Sequence, residues 1–111
     1  MPWSEASLKK KIKKDCDELG CWSFAPTQSG MGASGIPDRI ACMPTTIRPE
    51  DVGKTIGMFV GIEAKVKGNK PTKLQMHQLE RIAAAGGLAL VATGEKGKPY
   101  VIDRILPKEV K

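Results

Sequence analysis

No stretch of this sequence approaches the roughly 20 consecutive apolar residues that a membrane-spanning helix requires, so a helical membrane span is excluded. The chain opens Met1-Pro2-Trp3-Ser4-Glu5 and runs into lysines without an apolar segment, so no secretory signal is read and a cytoplasmic location is expected. Cysteine is sparse. Cys16, Cys21 and Cys42 are odd in number and never spaced Cys-x-x-Cys, which argues against a structural zinc site and for free thiols, buried or half-buried, in a reducing compartment. There is a single histidine, His77, and aromatic residues make up 5% of the chain. No internal repeat or low-complexity tract is present. What is abundant is positive charge: 18 Lys and Arg against 12 Asp and Glu give a net +6, which fits a polyanionic partner whose phosphates those side chains neutralise. At 111 residues the chain has the length of one domain, large enough to hold a core without disulfides.

The hydrophobic pattern gives an α/β order. From Ser4 to Leu19 the apolar residues Leu8, Ile12, Cys16 and Leu19 recur at helical spacing, with Lys9, Lys10, Lys11, Lys13 and Lys14 on the other faces. Ser4 is the expected N-cap, Trp3 a staple against Leu8, and Gly20 the stop. Strands are expected at Cys21–Ala25, Arg39–Met43 and Met58–Val66, with residues 45–57 as a surface excursion between two paired strands. In the last of these, Val60, Ile62, Ala64 and Val66 are all apolar while Glu63 and Lys65 alternate with them, so the even face is expected to be buried and the odd face to present charge. Thr72 caps a second helix ending at Gly86-Gly87, Leu88–Thr93 reads as a central strand, and Pro99–Ile102 as a last one.

Several polar residues stand out from this pattern. Glu5 continues the apolar stripe of the first helix and Gln75 that of the second, so both are expected to point inward. Asp38 follows Pro37 at the opening of a strand, and Glu63 and Lys65 share one strand face. Carboxylates gathered on one surface call for a bound cation or cationic partner.

Gly35-Ile36-Pro37-Asp38 followed by Glu63-Ala64-Lys65 resembles the signature of the PD-(D/E)xK nuclease superfamily. Closer still, the sequence resembles the virus-type replication-repair nuclease (VRR-NUC) domain, through Ser4-Glu5, the Gly30–Asp38 segment, Gly61–Lys65, the Gln75 helix and Ala84-Ala85-Gly86-Gly87, over roughly residues 4 to 105. The resemblance implies a restriction-endonuclease-like α/β core, a central mixed sheet of four or five strands flanked by helices, filling one domain. It implies Mg²⁺ or Mn²⁺ held by Asp38, Glu63 and the Ala64 carbonyl, hard oxygen donors suited to such ions. Lys65 then orients the attacking water or neutralises developing charge. It further implies that Glu5 joins the acidic cluster, through water or at a second metal, and that Gln75 positions the water, Lys65 or the phosphate. Stand-alone members act as homodimers on branched DNA such as four-way junctions, and a phage or prophage source is the matching expectation.

Plainer readings stand beside these. Glu5 can be a first-turn acid stabilising the helix dipole, and Gln75 an ordinary first-turn polar residue. The Lys9–Lys14 run is a solvated face or a phosphate contact; the Gly30–Gly35 segment, with Gly32 and Ser34, approaches a nucleic-acid backbone or only permits tight turns. That segment lacks the Gly-Lys-Ser/Thr ending of a nucleotide P-loop. Lys67, Lys70 and Lys73 are the stronger DNA-binding candidates. His77, two residues past Gln75, faces away from it and is expected at the surface. A nuclease acting on flaps, nicked duplex or single strands, and a non-catalytic DNA-binding protein with the same fold, remain the alternatives.

Overall fold

A computed structural model of the protein describes residues 4–27 and 37–107. Trp3, Gly32 and Ser34 lie outside the described residues. Those that are described fall into two compact units, within Met1–Pro44 and within Thr45–Lys111.

The first unit holds a helix α1 (Glu5–Glu18) and two three-residue strands, β1 (Trp22–Phe24) and β2 (Ile40–Cys42). Ser4 caps α1 as expected, its side chain accepting from the Ser7 N–H at 3.1 Å. The other end is a Schellman motif. Gly20, at φ +78°, lets its own N–H reach the Asp17 carbonyl and that of Cys21 reach the Cys16 carbonyl, at 3.1 and 3.0 Å. No residue of α1 is buried, and Leu8, Ile12 and Leu19 are exposed. Its lysines are largely matched by acids one turn away: Lys9 with Glu5, Lys11 with Asp15, Lys13 with Asp17 and Lys14 with Glu18. The two strands pair antiparallel, Trp22 opposite Cys42 and Phe24 opposite Ile40, with the Trp22 and Phe24 rings 5.3 Å apart.

None of the three cysteines forms a disulfide; Cys21 and Cys42 are buried and Cys16 half-buried. Burial, reinforced by the neighbouring Cys16, pushes the Cys21 thiol above its ordinary range. Because the folded value is the higher one, this thiol's contribution to stability is complete below its unfolded value of about 8.5 and is lost as pH rises through the folded one. Alkylation of Cys21 by iodoacetamide at pH 8, followed by mass spectrometry, is expected to be much slower in the folded protein than in urea. Equal rates would contradict this burial.

The second unit is a β-α-β crossover with an added strand. A short 3-10 turn (Pro49–Asp51) leads to β3 (Val60–Val66), helix α2 (Lys73–Ala84), β4 (Leu88–Gly94) and β5 (Val101–Ile105). β3 and β4 are parallel, as a helical crossover permits, and β5 returns antiparallel to β4. α2 is closed by a second Schellman motif, in which Gly86 at φ +95° donates to Ala83 and Gly87 to Ile82. Leu79 and Ile82 of α2 and Ala89 and Val91 of β4 are buried and form its core.

Two fold expectations are corrected. The excursion at 45–57 does not join paired strands: β2 pairs with β1, β3 with β4, and the described strands make a two-stranded and a three-stranded sheet rather than one sheet of four or five. The faces of β3 are also reversed. Val60, Ile62 and Val66 are exposed, while Gly61, Glu63 and Lys65 are half-buried. The cause is the packing of α2. Gly61 has no side chain, and a Cβ there would sit 2.8 Å from Cδ1 of Ile82, so the helix settles on the odd face. The last strand begins two residues later than expected, because Pro99 lacks a ladder donor and the chain is still turning, with Lys98 donating to the Glu95 carbonyl at 3.3 Å.

Candidate active site

The exposed edge of β3 and its helix-covered face carry the site's chemistry. Lys67 donates to the Gly94 carbonyl and Phe59 accepts from the Leu88 N–H, so odd-numbered residues of β3 turn their peptide groups toward β4. Even-numbered ones, Ala64 among them, therefore turn theirs to the outer edge, where no described strand pairs with β3. The Ala64 carbonyl thus faces outward between Glu63 and Lys65. These two side chains share the half-buried face, with Lys65 Nζ 3.8 Å from Glu63 Oε1. At 20% and 29% side-chain exposure, theirs is the least exposed ion pair among the described residues. Loss of either partner leaves the other as a partly desolvated, unpaired charge.

The other expected residues are placed as follows. Asp38 is exposed, just before β2 in the first unit. Glu5 does not point inward. Its side chain is 79% exposed and pairs with Lys9 at 3.3 Å, since a first-turn acid gains both from the helix dipole and from a lysine four residues on. Gln75 is half-buried and completes a capping box: its Oε1 accepts from the Thr72 N–H at 2.9 Å while its own N–H donates to Thr72 Oγ1 at 3.1 Å. That bond uses the amide oxygen and leaves the Nε2 donors for another partner. Lys67 and Lys70 lie in the connection from β3 to α2, Lys73 opens α2, and all three are exposed; His77 is exposed as expected. No group of three or more His, Cys, Asp and Glu arranged to hold a metal occurs among the described residues.

Register adds two residues that the periodicity did not mark. Thr93 stands beside Lys65, and Asp103 lies across Val91 from Glu63 on the same face. Two strand spacings put the Cα atoms of Asp103 and Glu63 roughly 10 Å apart. Neither residue has a distinguishing sequence signal, because both depend on strand pairing.

The capping role of Gln75 is separable from any role in chemistry. Gln75→Ala is expected to lower stability by about 0.5–1 kcal/mol through loss of the reciprocal cap, read as a lower urea midpoint. An unchanged midpoint would show that the cap contributes nothing.

No protein-family model matches the chain, and no curated protein matches it. No helix among the described residues is long and apolar enough to cross a membrane.

Proposed function

We propose that the protein is a Mg²⁺- or Mn²⁺-dependent DNA endonuclease of the PD-(D/E)xK type, acting as a homodimer on branched DNA such as four-way junctions. The observation that carries this reading is the β3 arrangement: one carboxylate and one ammonium on a shared half-buried face, with a backbone carbonyl turned to the open edge between them. The carboxylate of Glu63 and the carbonyl of Ala64 are hard oxygen donors, and the reading adds Asp38 as the second charged ligand, with Glu5 reached through water or at a second ion. A bound divalent ion supplies an acidified water and takes up charge on the phosphoryl oxygens. Lys65 then holds the attacking water or neutralises charge developing on the phosphate, and the free amide donors of Gln75 position water or phosphate. Cutting both strands with one site per chain requires a second copy, supplied by a symmetric dimer.

The test is incubation of the purified protein with labelled four-way junction, flap, nicked duplex, duplex and single-stranded DNA, each in Mg²⁺, Mn²⁺ or EDTA. Metal-dependent cleavage with the junction cut fastest is the expected result. Binding without cleavage in every metal would replace the nuclease by a DNA-binding protein, and equal rates on all substrates would remove the junction preference.

A further inference from the structure

A groove of about 280 Å³ opens where β3 and β4 end, lined by Lys67, Thr93, Glu95, Lys98, Pro99 and Val101. It lies next to the face that holds the candidate site, since Lys67 follows the last residue of β3 with its N–H still bonded to the Gly94 carbonyl, and Thr93 stands beside Lys65 in register. Its charges are unbalanced in one direction. Lys67 Nζ and Lys98 Nζ lie 3.6 and 3.1 Å from the same oxygen, Glu95 Oε1, so two ammonium groups share one carboxylate. One positive charge is left over, and both lysines have most of their surface in solvent, free to turn toward a ligand. The volume is at the lower end for a ligand pocket, about 300 Å³, which suits a phosphate with its sugar better than a whole nucleotide. Thr93 offers a hydroxyl, while Pro99 and Val101 give an apolar wall for the sugar. The location, at the carboxyl ends of two parallel strands, is where α/β sheets commonly take ligands.

We propose that this groove is a phosphate subsite for the DNA strand running past the Glu63–Lys65 pair, with Lys67 and Lys98 as its ligands. Glu95 holds the two ammonium groups together until a phosphodiester takes its place. The proposal rests on the nuclease reading for the identity of the polyanion, and it adds Lys98, Glu95 and Thr93 to the residues that meet it.

The test is binding without cleavage: fluorescence anisotropy of labelled duplex and four-way junction in EDTA, across a salt titration. Each phosphate neutralised contributes about 0.9 to the slope of log affinity against log salt for duplex DNA, so loss of this one-phosphate subsite in the Lys67→Ala/Lys98→Ala double variant is expected to flatten that slope by about 0.9. Binding at low salt should fall about tenfold or more. Glu95→Gln, which releases both lysines, should bind about threefold more tightly. Lys54→Ala removes equal charge per residue away from the groove and should leave the slope within about 0.3 of the parent. A slope unchanged in the double variant, an equal loss in Lys54→Ala, or no binding by the parent protein would each overturn the subsite. Because no metal is present, failure to cleave has no bearing on this result. A nuclease whose double variant keeps the parental slope would lose the subsite and retain its catalytic assignment.

Discussion

Glu63→Gln is expected to reduce metal-dependent DNA cleavage by at least about a hundredfold while leaving the fold intact. The substitution keeps the size and shape of the side chain and removes only its charge, so its effect on packing beneath α2 is small. It also leaves Lys65, 3.8 Å away, without its acidic neighbour. Asp38→Ala should cause a comparable loss, because the proposed site needs two charged oxygen ligands. Lys65→Ala should lower turnover and not metal affinity, since an ammonium cannot ligate a cation. Metal binding followed by calorimetry, beside single-turnover cleavage, separates these outcomes: Glu63→Gln should weaken both, and Lys65→Ala only the second. Cleavage undiminished in Asp38→Ala or Lys65→Ala would refute the site even if the protein cuts DNA.

The second large effect is on stability. Ile82 is 4% exposed and its Cδ1 occupies the space that a side chain at 61 would fill, so Ile82→Ala opens a cavity at the contact that fixes α2 on the sheet. A cost of about 2–5 kcal/mol is expected, against the roughly 5–15 kcal/mol that holds a typical domain together. Leu79→Ala should cost a similar amount, because Leu79 is buried on the same helix. The contact also makes a sharper test by double substitution. Gly61→Ala places a methyl group 2.8 Å from Cδ1 of Ile82, which must move. Ile82→Val deletes that atom, so Gly61→Ala should cost less when combined with Ile82→Val than alone, a coupling of about 0.5 kcal/mol or more by urea denaturation. Additive costs would mean that Gly61 and Ile82 do not meet as described.

The helix ends were legible in the sequence because their signals are local. Ser4, Gly20, Thr72 and Gly86 act through hydrogen bonds to residues a few positions away. The same holds for the surface placement of His77 and of most α1 lysines. Strand pairing was less legible, since β2 and β3 each fit several partners by composition and only the fold selects β1 for one and β4 for the other. Alternation along β3 shows that its two faces differ, but the more apolar face, with Val60, Ile62 and Val66, is the exposed one. Gly61 decides the matter by admitting Ile82, and that depends on a helix lying beyond the strand in sequence. Of the candidate site, the Glu63–Lys65 pair was readable from a spacing of two on one strand. The exposure of Glu5 was not, because helical periodicity places a residue on a stripe without saying whether anything covers it.

The acids of α1 have a consequence for how DNA would first meet this protein. Five lysines against four carboxylates leave that helix nearly neutral, and residues 45–111 hold twelve Lys and Arg against seven Asp and Glu, hence five of the six net charges. Long-range attraction is set by net charge and not by the number of lysines, so diffusional capture belongs to the second unit. Raising ionic strength should therefore slow association through the strands and loops of that unit, while the conspicuous lysine run of α1 acts mainly as an internal counterweight to its own acids.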